Sequence, residues 1–599
     1  MRCLAYLFLM KKRWNYKEAG NPSTVEGLMN SLGIDRILAN LLAQRGIETY
    51  EQAKKFFRPA LEDLYDPFLM KGMQEAVARI EKAIAAGEKI LVYGDYDVDG
   101  TTAVALVYSF LRKYVNSVAT YIPDRYSEGY GISYTGIDFA IEQGYSLVIA
   151  LDCGIKAVEK VEYAQQKGVD FIICDHHLPG DSIPKAAAVL DPKQPDCNYP
   201  FKELSGCGVG FKLMQGFCQV KGISPLELYP LLDLVAVSIA SDIVPVIDEN
   251  RILTHFGLKQ LNNSPSRGLK AIIKLAGIEK HTIAIDDIVF RIGPRINAAG
   301  RMESGNSAVD LLCAKDDSVA FEMGSVVNSC NNDRKFVDRS ITHEALRLIA
   351  TNPELQNKKT TVLFNPEWHK GVVGIVASRL IETYYRPTVV LTESNGLATG
   401  SARSVPGFDL YQAVEACSDL LENFGGHMYA AGLTMKVENV PEFIERFDRF
   451  VSERIKPEML VPQIDIDAKL NFGDIDDKFY RILKQFQPFG PGNMSPVFVT
   501  DNVYDTGDSR LVGNERDHLK LSLIQEDNPK VFQGIAFQMG QHYKKIQKGS
   551  PFSVCYSISE NSYRGITSIQ LRVKDIQYLD ELLDEYNDSY GSLSESASE

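Results

Sequence analysis

Asp95, Asp97 and Asp99 alternate in the run GlyAspTyrAspValAspGly, directly after the apolar stretch Ile90 to Tyr93. Asp152 follows a second apolar run, Leu147 to Leu151; Asp175, His176 and His177 follow a third, Phe171 to Cys174; and Asp242 sits in SerAspIleValPro after a further apolar stretch. Carboxylates gathered in one place repel one another unless cations neutralise them. Oxygen donors joined by one or two imidazoles, with no thiolate among them, suit Mn2+ or Mg2+ better than zinc. Two such ions about 4 Å apart, bridged by a carboxylate, can activate water and clamp the oxygens of an in-line phosphoryl displacement. The spacing of Asp97 and Asp99 puts two carboxylates on one side of a tight turn, where each can meet a different ion.

Other chemistries fit these residues less well. AspTyrAspValAspGly matches the start of a calcium-binding EF-hand loop, but that loop needs a glutamate at its twelfth position, where Leu106 stands, and a helix rather than a strand before it. GlyThrThr at 100 to 102 has no neighbouring lysine, so a phosphate-cradling P-loop is wanting. Any single Asp is as readily a helix cap or a solvated loop acid; four such segments with adjacent histidines make coincidence a poor account.

Apolar runs separated by helix-length segments predict strands of a parallel sheet covered on both faces. Ligand sites in such sheets lie at the carboxyl ends of strands, so the four acidic segments are expected to converge on one edge. Residues 81–250 read as this α/β domain. Before it, 1–80 read as a helical adaptor, with Leu28, Leu32, Ile37, Leu38, Leu41 and Leu42 approximating a stripe that Gly46 ends. Residues 251–352 read as a helical connector with a long polar stretch from 316 to 350. Residues 353–458 read as a second α/β domain with strands near 361–364 and 388–391 and turns at Gly400, Gly425 and Gly426. Alternation as in HisLeuLysLeuSerLeu (518–523) predicts a small β-barrel over 459–579. The acidic tail, 580–599, is expected to be disordered. The fold class is therefore α/β, two α/β domains joined by helices, with a C-terminal β-barrel and no evident internal repeat.

A length of 599 residues implies several domains. Hydrophobic content of 45% with 24% charged residues excludes a disordered chain, a collagen-like repeat and a membrane bundle as descriptions of the whole. The net charge of -14 argues against a generally basic nucleic-acid coat, yet eight acids lie after Lys574 with no base among them, leaving about -6 on the body. Recognition follows local potential, so positive grooves remain compatible with that balance. The ten cysteines form no CxxC pair, which disfavours both a zinc site and a secreted disulfide framework and fits a reducing cytoplasm. Leu4 to Met10 is too short an apolar run to span a bilayer, and Lys11, Lys12 and Arg13 follow it where a signal peptide would have them first. Met10 is the expected start of translation.

GlyAspTyrAspValAspGlyThrThr, LeuAspCysGly, AspHisHis and SerAspIleValPro resemble the four metal-binding motifs of the DHH phosphoesterase superfamily. The segments at 122–131 (IleProAspArgTyrSerGluGlyTyrGly), 294–302 (ProArgIleAsnAlaAlaGlyArgMet), 368–380 (TrpHisLysGlyValValGlyIleValAlaSerArgLeu) and 425–432 (GlyGlyHisMetTyrAlaAlaGly) extend the resemblance, over roughly residues 10 to 575, to the superfamily's bacterial exonucleases specific for single-stranded DNA. The resemblance implies a DHH catalytic domain, a DHH-associated substrate-binding domain and an OB-fold barrel. It implies metal ligands at Asp97, Asp99, Asp152, His176 and Asp242, with Asp152 as the bridge and Asp95 supporting the first ion. Tyr93 stands where pyrophosphatase relatives carry a histidine ligand. Asp175 is expected to orient the histidines and His177 to contact the scissile phosphate or the leaving oxygen. Gly425 and Gly426 permit close backbone approach, and His427 can donate to phosphate. Arg125, Arg301, Ser401 and Arg403 resemble a pocket for a terminal 5′ phosphate, with Ala402 where relatives commonly have glycine.

The activity so implied is two-metal hydrolysis of single-stranded DNA from 5′ to 3′, releasing 5′ mononucleotides, in DNA recombination and repair. Single-strand-binding protein and a RecQ-type helicase are the implied partners, with no membrane. In the barrel, Lys520, Lys544, Lys545, Lys548, Arg564 and Arg572, interleaved with Phe532, Phe537, Tyr543 and Tyr563, offer charge and stacking platforms to a single strand. The rival readings are a DHH nuclease or phosphatase acting on short RNA or nucleotides, which usually needs only the two α/β domains, and an inactive DNA-binding scaffold, which can lose the metal acids that this chain retains.

Overall fold

Strands buried on both faces need apolar residues at every position, and the runs before the acids supply them. In the computed structural model, β1 (Ile90–Gly94) and β3 (Leu147–Leu151) are buried throughout, and β4 (Asp170–Cys174) at all but its first residue. With β2 (Val118–Tyr121) and β5 (Ala188–Leu190) they form a parallel sheet in the order β2-β1-β3-β4-β5. The structure describes residues 11–278, 282–302, 304–563 and 566–578. The run Leu4 to Met10, Arg564, the side chain of Tyr563 and the acidic tail lie outside the described residues.

The chain divides into two units. The first, essentially residues 59–460, holds the parallel sheet, the connector and the second α/β domain. Helix α1 (Val98–Leu111) leaves β1 and is buried along nearly its whole length, consistent with a sequence apolar or small on every side. Helices α2 (Gly206–Lys221) and α3 (Leu232–Ser241) are buried beside it. The fourth apolar run, before Asp242, is thus a core helix and not a strand; its ten residues are apolar nearly all round, the pattern of a helix with no solvent face.

The connector contains the 35-residue helix α4 (Asp317–Thr351), about 50 Å long at 1.5 Å per residue. Its polar sequence buries only one stripe, including Ala320, Val327, Asn331, Asp338, Ala345 and Ile349. The second α/β domain has a five-stranded sheet in the order Leu421–His427, Ala430–Lys436, Leu397–Arg403, Thr388–Ser394, Thr361–Phe364, with helix α5 (Val373–Tyr384) packed against it.

In the second unit, strands between Ala468 and Tyr578 form a seven-stranded sheet that the pairing of Phe498–Asp505 with His518–Gln525 closes into a barrel. Here the structure departs from the expected 1–80 adaptor. Residues 11–58 belong with the barrel: strand Arg13–Tyr16 pairs in parallel with Gln463–Ile466, and Leu28, Leu38, Leu41 and Leu42 join its core with Phe479 and Phe486. Helix Met73–Ala86 instead packs Met73, Val77 and Ile80 into the first unit. An amphipathic stripe demands a partner without naming it, so sequence proximity misgrouped these helices. Phe532, expected as a stacking platform, is buried against Phe472 with ring centroids 5.0 Å apart, because its strand position faces the barrel interior. Phe537 is exposed, with the Arg572 guanidinium over its ring.

Trp14 Nε1 donates to Asp575 Oδ2 at 2.8 Å, and that carboxyl is buried. Trp14→Phe removes the donor while keeping an aromatic body, and is expected to destabilise the barrel unit by about 1–3 kcal/mol, read as a lower urea midpoint.

Candidate metal centre

The strand register places the acids. Gly94 lies opposite Leu151, Leu151 opposite Cys174 and Cys174 opposite Leu190, so the next residues, Asp95, Asp152, Asp175 and Asp191, fall in one row at the carboxyl edge. The ladder continues through this row: the Asp152 amide donates to Cys174 O at 2.8 Å and the Asp175 amide to Leu190 O at 2.9 Å. The β1/β3 neighbours flank the point where the strand order reverses, which is where open parallel sheets bind ligands.

Around this row the loops are tightly fitted. Asp97 caps α1, its Oδ1 accepting from the Gly100 amide at 3.0 Å. A Cβ on Gly100 would lie 2.4 Å from Asp95 O, so the turn back over Asp95 requires glycine. Asp99, wholly buried, accepts from the amides of Gly206 and Cys207 and from the Ser238 hydroxyl, each at 2.7 Å. It thereby sits as an anion at the N-terminus of α2. Asp152 adopts φ 60°, a left-handed conformation that aspartate tolerates at a cost and that sets its carboxylate beside His176.

The Nε2 atom of His176 is the hub: Asp152 Oδ1 lies 3.1 Å away, Asp242 Oδ2 3.5 Å and Asp99 Oδ2 3.8 Å. Two adjoining groups of potential ligand atoms share this histidine, one with Asp99 and Asp242 and one with Asp152 and His177, each within 4.8 Å. Asp95 and Asp97 fall outside both groups. Buried atoms without hydrogen-bond partners mark the same place: Asp95 Oδ2, Asp152 Oδ1 and both ring nitrogens of His176. Buried polar atoms are normally satisfied, and the facing pair of Asp152 Oδ1 and His176 Nε2, 3.1 Å apart, lies where a divalent cation would satisfy both. The residues present therefore fit a metal centre of oxygen and imidazole donors.

Their electrostatics agree. Burial, then the neighbouring carboxylates, pushes Asp95 and Asp152 far above the ordinary carboxylate range, and burial raises Asp99 while His176 pulls it down. Asp242 is pushed up to about 8 by burial and by the charges of Asp99 and Asp97. Asp97 thus acts on three of the clustered acids even though it caps a helix. Burial holds the His176 ring towards its neutral, metal-binding form. Asp175 behaves oppositely: burial opposes its charge, but the bond from His177 Nδ1 at 2.7 Å, His177's charge and the Ile155 amide bring it down to about 2. The same bond overcomes burial to raise His177 to about 9. His177 Nε2 faces the Tyr130 hydroxyl at 3.4 Å.

The predicted phosphate residues also lie in the first unit, and Arg125 is near enough for its charge to act on Asp95. Arg403 Nη1 donates to Ser401 Oγ at 2.6 Å, and a Cβ on Gly374, in the first turn of α5, would lie 3.1 Å from Arg403 Nη2 and 3.2 Å from Ser401 Oγ. Arg301 Nη1 donates to Gly371 O at 2.8 Å, and burial with the charges of Arg125, Arg334 and Arg403 brings it down to about 9. Arg125 lies over the Tyr96 ring at 4.2 Å. Ala402 is buried in the second domain's core. His427 ends the exposed hairpin strand Leu421–His427, and its described contacts, from the Tyr429 amide and ring, are local. Gly426 has φ 149°, and a Cβ there would lie 2.2 Å from Ala430 O. Tyr93, at the position compared with a histidine ligand, donates instead to Gly131 O inside the core.

Known proteins resemble this chain along most of its length. Residues 89–239 match the DHH family N-terminal domain, 357–453 the DHHA1 domain and 466–575 the RecJ OB domain. The single-stranded-DNA-specific exonuclease RecJ of Bacillus subtilis strain 168 is 37% identical over 567 residues, covering 94% of this chain and 71% of that protein. RecJ of Escherichia coli K12 is 32% identical over 562 residues, 90% of this chain and 95% of that one. The chain belongs to the RecJ family. The crystal structure of RecJ from Thermus thermophilus in complex with Mn2+ superposes with a TM-score of 0.81 at 27% identity, covering 94% of this chain and 79% of that one.

Sequence reasoning missed three parts of this RecJ-family site. Asp191 completes the row and burial raises it to about 7; its signal, an Asp after an apolar run, was present, but the strand before it has only three residues. Arg334, on α4, whose charge helps to lower Arg301, carried no motif. Gly206 fits because a Cβ there would lie 2.6 Å from Asp152 Oδ1. Gly206→Ala is expected to displace the Asp152 carboxylate, costing about 1–3 kcal/mol of stability and weakening Mn2+ binding measured by calorimetry.

Proposed function

We propose that this chain is an exonuclease specific for single-stranded DNA that removes 5′ mononucleotides from the 5′ end with two divalent ions, Mn2+ or Mg2+. The observation that carries the reading is the gathering of carboxylate oxygens of Asp152, Asp242 and Asp99 within 3.1–3.8 Å of His176 Nε2, at the carboxyl edge of the sheet, in a chain of the RecJ family. Asp97, Asp99, Asp152, His176 and Asp242 would hold the ions, with Asp152 shared and Asp95 in support. Ions bound there would supply activated water and neutralise charge on the phosphate.

The protein's own groups do the rest. Asp175 accepts from His177 Nδ1 and so fixes the ring, leaving Nε2 to carry a proton towards the scissile phosphate or the departing 3′ oxygen. His427, carried on the hairpin that Gly425 and Gly426 shape, donates to a nonbridging oxygen. Arg125, Arg301, Ser401 and Arg403 hold the terminal 5′ phosphate, the arginine forks suiting its oxygens. The barrel adds a further single-strand surface, with Phe537 and Arg572 at its exposed side. Work in recombination and repair in the cytoplasm, with single-strand-binding protein and a RecQ-type helicase delivering unpaired strands, is the role such an activity fits.

With Mn2+, a 3′-labelled single strand is expected to shorten from its 5′ end while blunt duplex survives. Asp152→Ala should lower the rate by roughly 10³ or more and His177→Gln by about 10²–10⁴, both with native circular dichroism. Undiminished cleavage by Asp152→Ala would refute the assignment, and equal digestion of RNA would move the substrate class.

A further inference from the structure

Two segments that carry the family resemblance hold residues with no role so far: Tyr126, beside Arg125, and TrpHisLysGly at 368–371. They meet at Arg301. That arginine lies in the last turn of the helix Gly293–Met302, where backbone carbonyls have no partner within the helix. The Tyr126 hydroxyl donates to one of them, Arg301 O, at 2.5 Å. From the other side, Gly371 O accepts from Arg301 Nη1 at 2.8 Å. A Cβ on Gly371 would lie 2.8 Å from both Arg301 O and the Tyr126 hydroxyl oxygen and 3.0 Å from His369 Cε1, so glycine is what lets the three approach one point. Lys370 Nζ stands 5.7 Å from the centre of the Tyr126 ring. The contacts close a circuit, from the Tyr126 hydroxyl to Arg301, to Gly371, to Lys370 and back to the Tyr126 ring.

Both sides of the circuit are fastened. Asp124 Oδ1 accepts from the Tyr126 amide at 3.0 Å and from the Ser127 amide at 2.8 Å. Buried Trp368 donates from Nε1 to Glu344 Oε2 on α4 at 3.0 Å, and the Gly371 amide donates to His369 Nδ1 at 3.1 Å. Burial raises the Tyr126 phenol against the charges of Arg125 and Arg301, so it keeps the proton it donates. The side-chain bond described for Arg301 uses Nη1, which leaves the other edge of its planar fork to face a phosphate. We infer that Tyr126 is a positioning residue: its hydroxyl fixes the helix end that carries Arg301, aims the guanidinium at a terminal 5′ phosphate, and so sets a preference for 5′-phosphorylated over 5′-hydroxyl ends. The inference rests on the terminal-phosphate reading of Arg301 and adds what holds that arginine in place.

The test uses the full-length chain with Mn2+ and two 3′-labelled single strands of one sequence, ending in 5′ phosphate or 5′ hydroxyl. The wild type should favour the phosphate end by at least about tenfold in kcat/KM. Tyr126→Phe keeps the ring and removes the donor; it should narrow that preference about fivefold, through a higher KM for the phosphate strand. Lys370→Gln, which leaves the hydroxyl but removes the cation over the ring, should narrow it about threefold. Added to Arg301→Gln, Tyr126→Phe should narrow it no further, because the tyrosine acts through that arginine. A preference that survives both single variants, a loss shared equally by the two strands, or a full further narrowing in the Arg301→Gln background would each overturn the inference. A wild type that cuts both ends equally well would contradict the phosphate pocket and this inference with it, and one that cuts neither would contradict the nuclease reading on which both stand.

Discussion

Mutual repulsion among buried carboxylates is the constraint around which the first unit is built. Asp95, Asp99 and Asp152 are almost completely removed from water, and Asp242 leans into the same space. Burying one unpaired carboxylate is costly, and several within a few ångströms compound the cost. Part of it is offset locally: the N-terminus of α2 and the Ser238 hydroxyl stabilise Asp99, and His177 stabilises Asp175. The remainder, concentrated on Asp152 and the unpartnered His176 ring, is what divalent ions would relieve.

The backbone shows how that arrangement is maintained. A left-handed aspartate at 152 and two glycines pressed against Asp95 and Asp152 are local departures from ordinary propensity, all within the ion-binding edge. Such departures persist only where surrounding packing over-determines them, and here the surroundings are a sheet buried on both faces and three core helices. Function and fold are coupled through the register: alignment of the strand ends at Gly94, Leu151, Cys174 and Leu190 turns residues distant in sequence into one row of donors.

Much of this was legible from residues alone. Apolar runs followed by Asp marked β1, β3 and β4, because a doubly covered strand has an unbroken apolar signature. The same signature misled before Asp242, where length and all-round apolarity belong to α3, and it was too short to announce β5 and Asp191. The terminal helices were legible as amphipathic but not as part of the barrel, since pairing of Arg13–Tyr16 with Gln463–Ile466 depends on contacts across some 450 residues of chain. Phe532 and Phe537 differ by burial that alternation alone leaves ambiguous by one register step. Arg334 had no local signal; its charge reaches Arg301 only through the fold.

Thermal unfolding of the wild type and Asp152→Asn, each with and without Mn2+, tests the repulsion most directly. Without metal, the neutral amide should raise the unfolding midpoint, because it replaces a carboxyl whose ionisation burial and the neighbouring acids oppose. Ion binding to the folded state stabilises it by about 2.7 kcal/mol at a hundred times Kd, so Mn2+ should raise the wild-type midpoint by several degrees and the variant's far less. A variant that melts lower than wild type without metal, yet gains as much from Mn2+, would show that these carboxylates neither strain the fold nor share an ion.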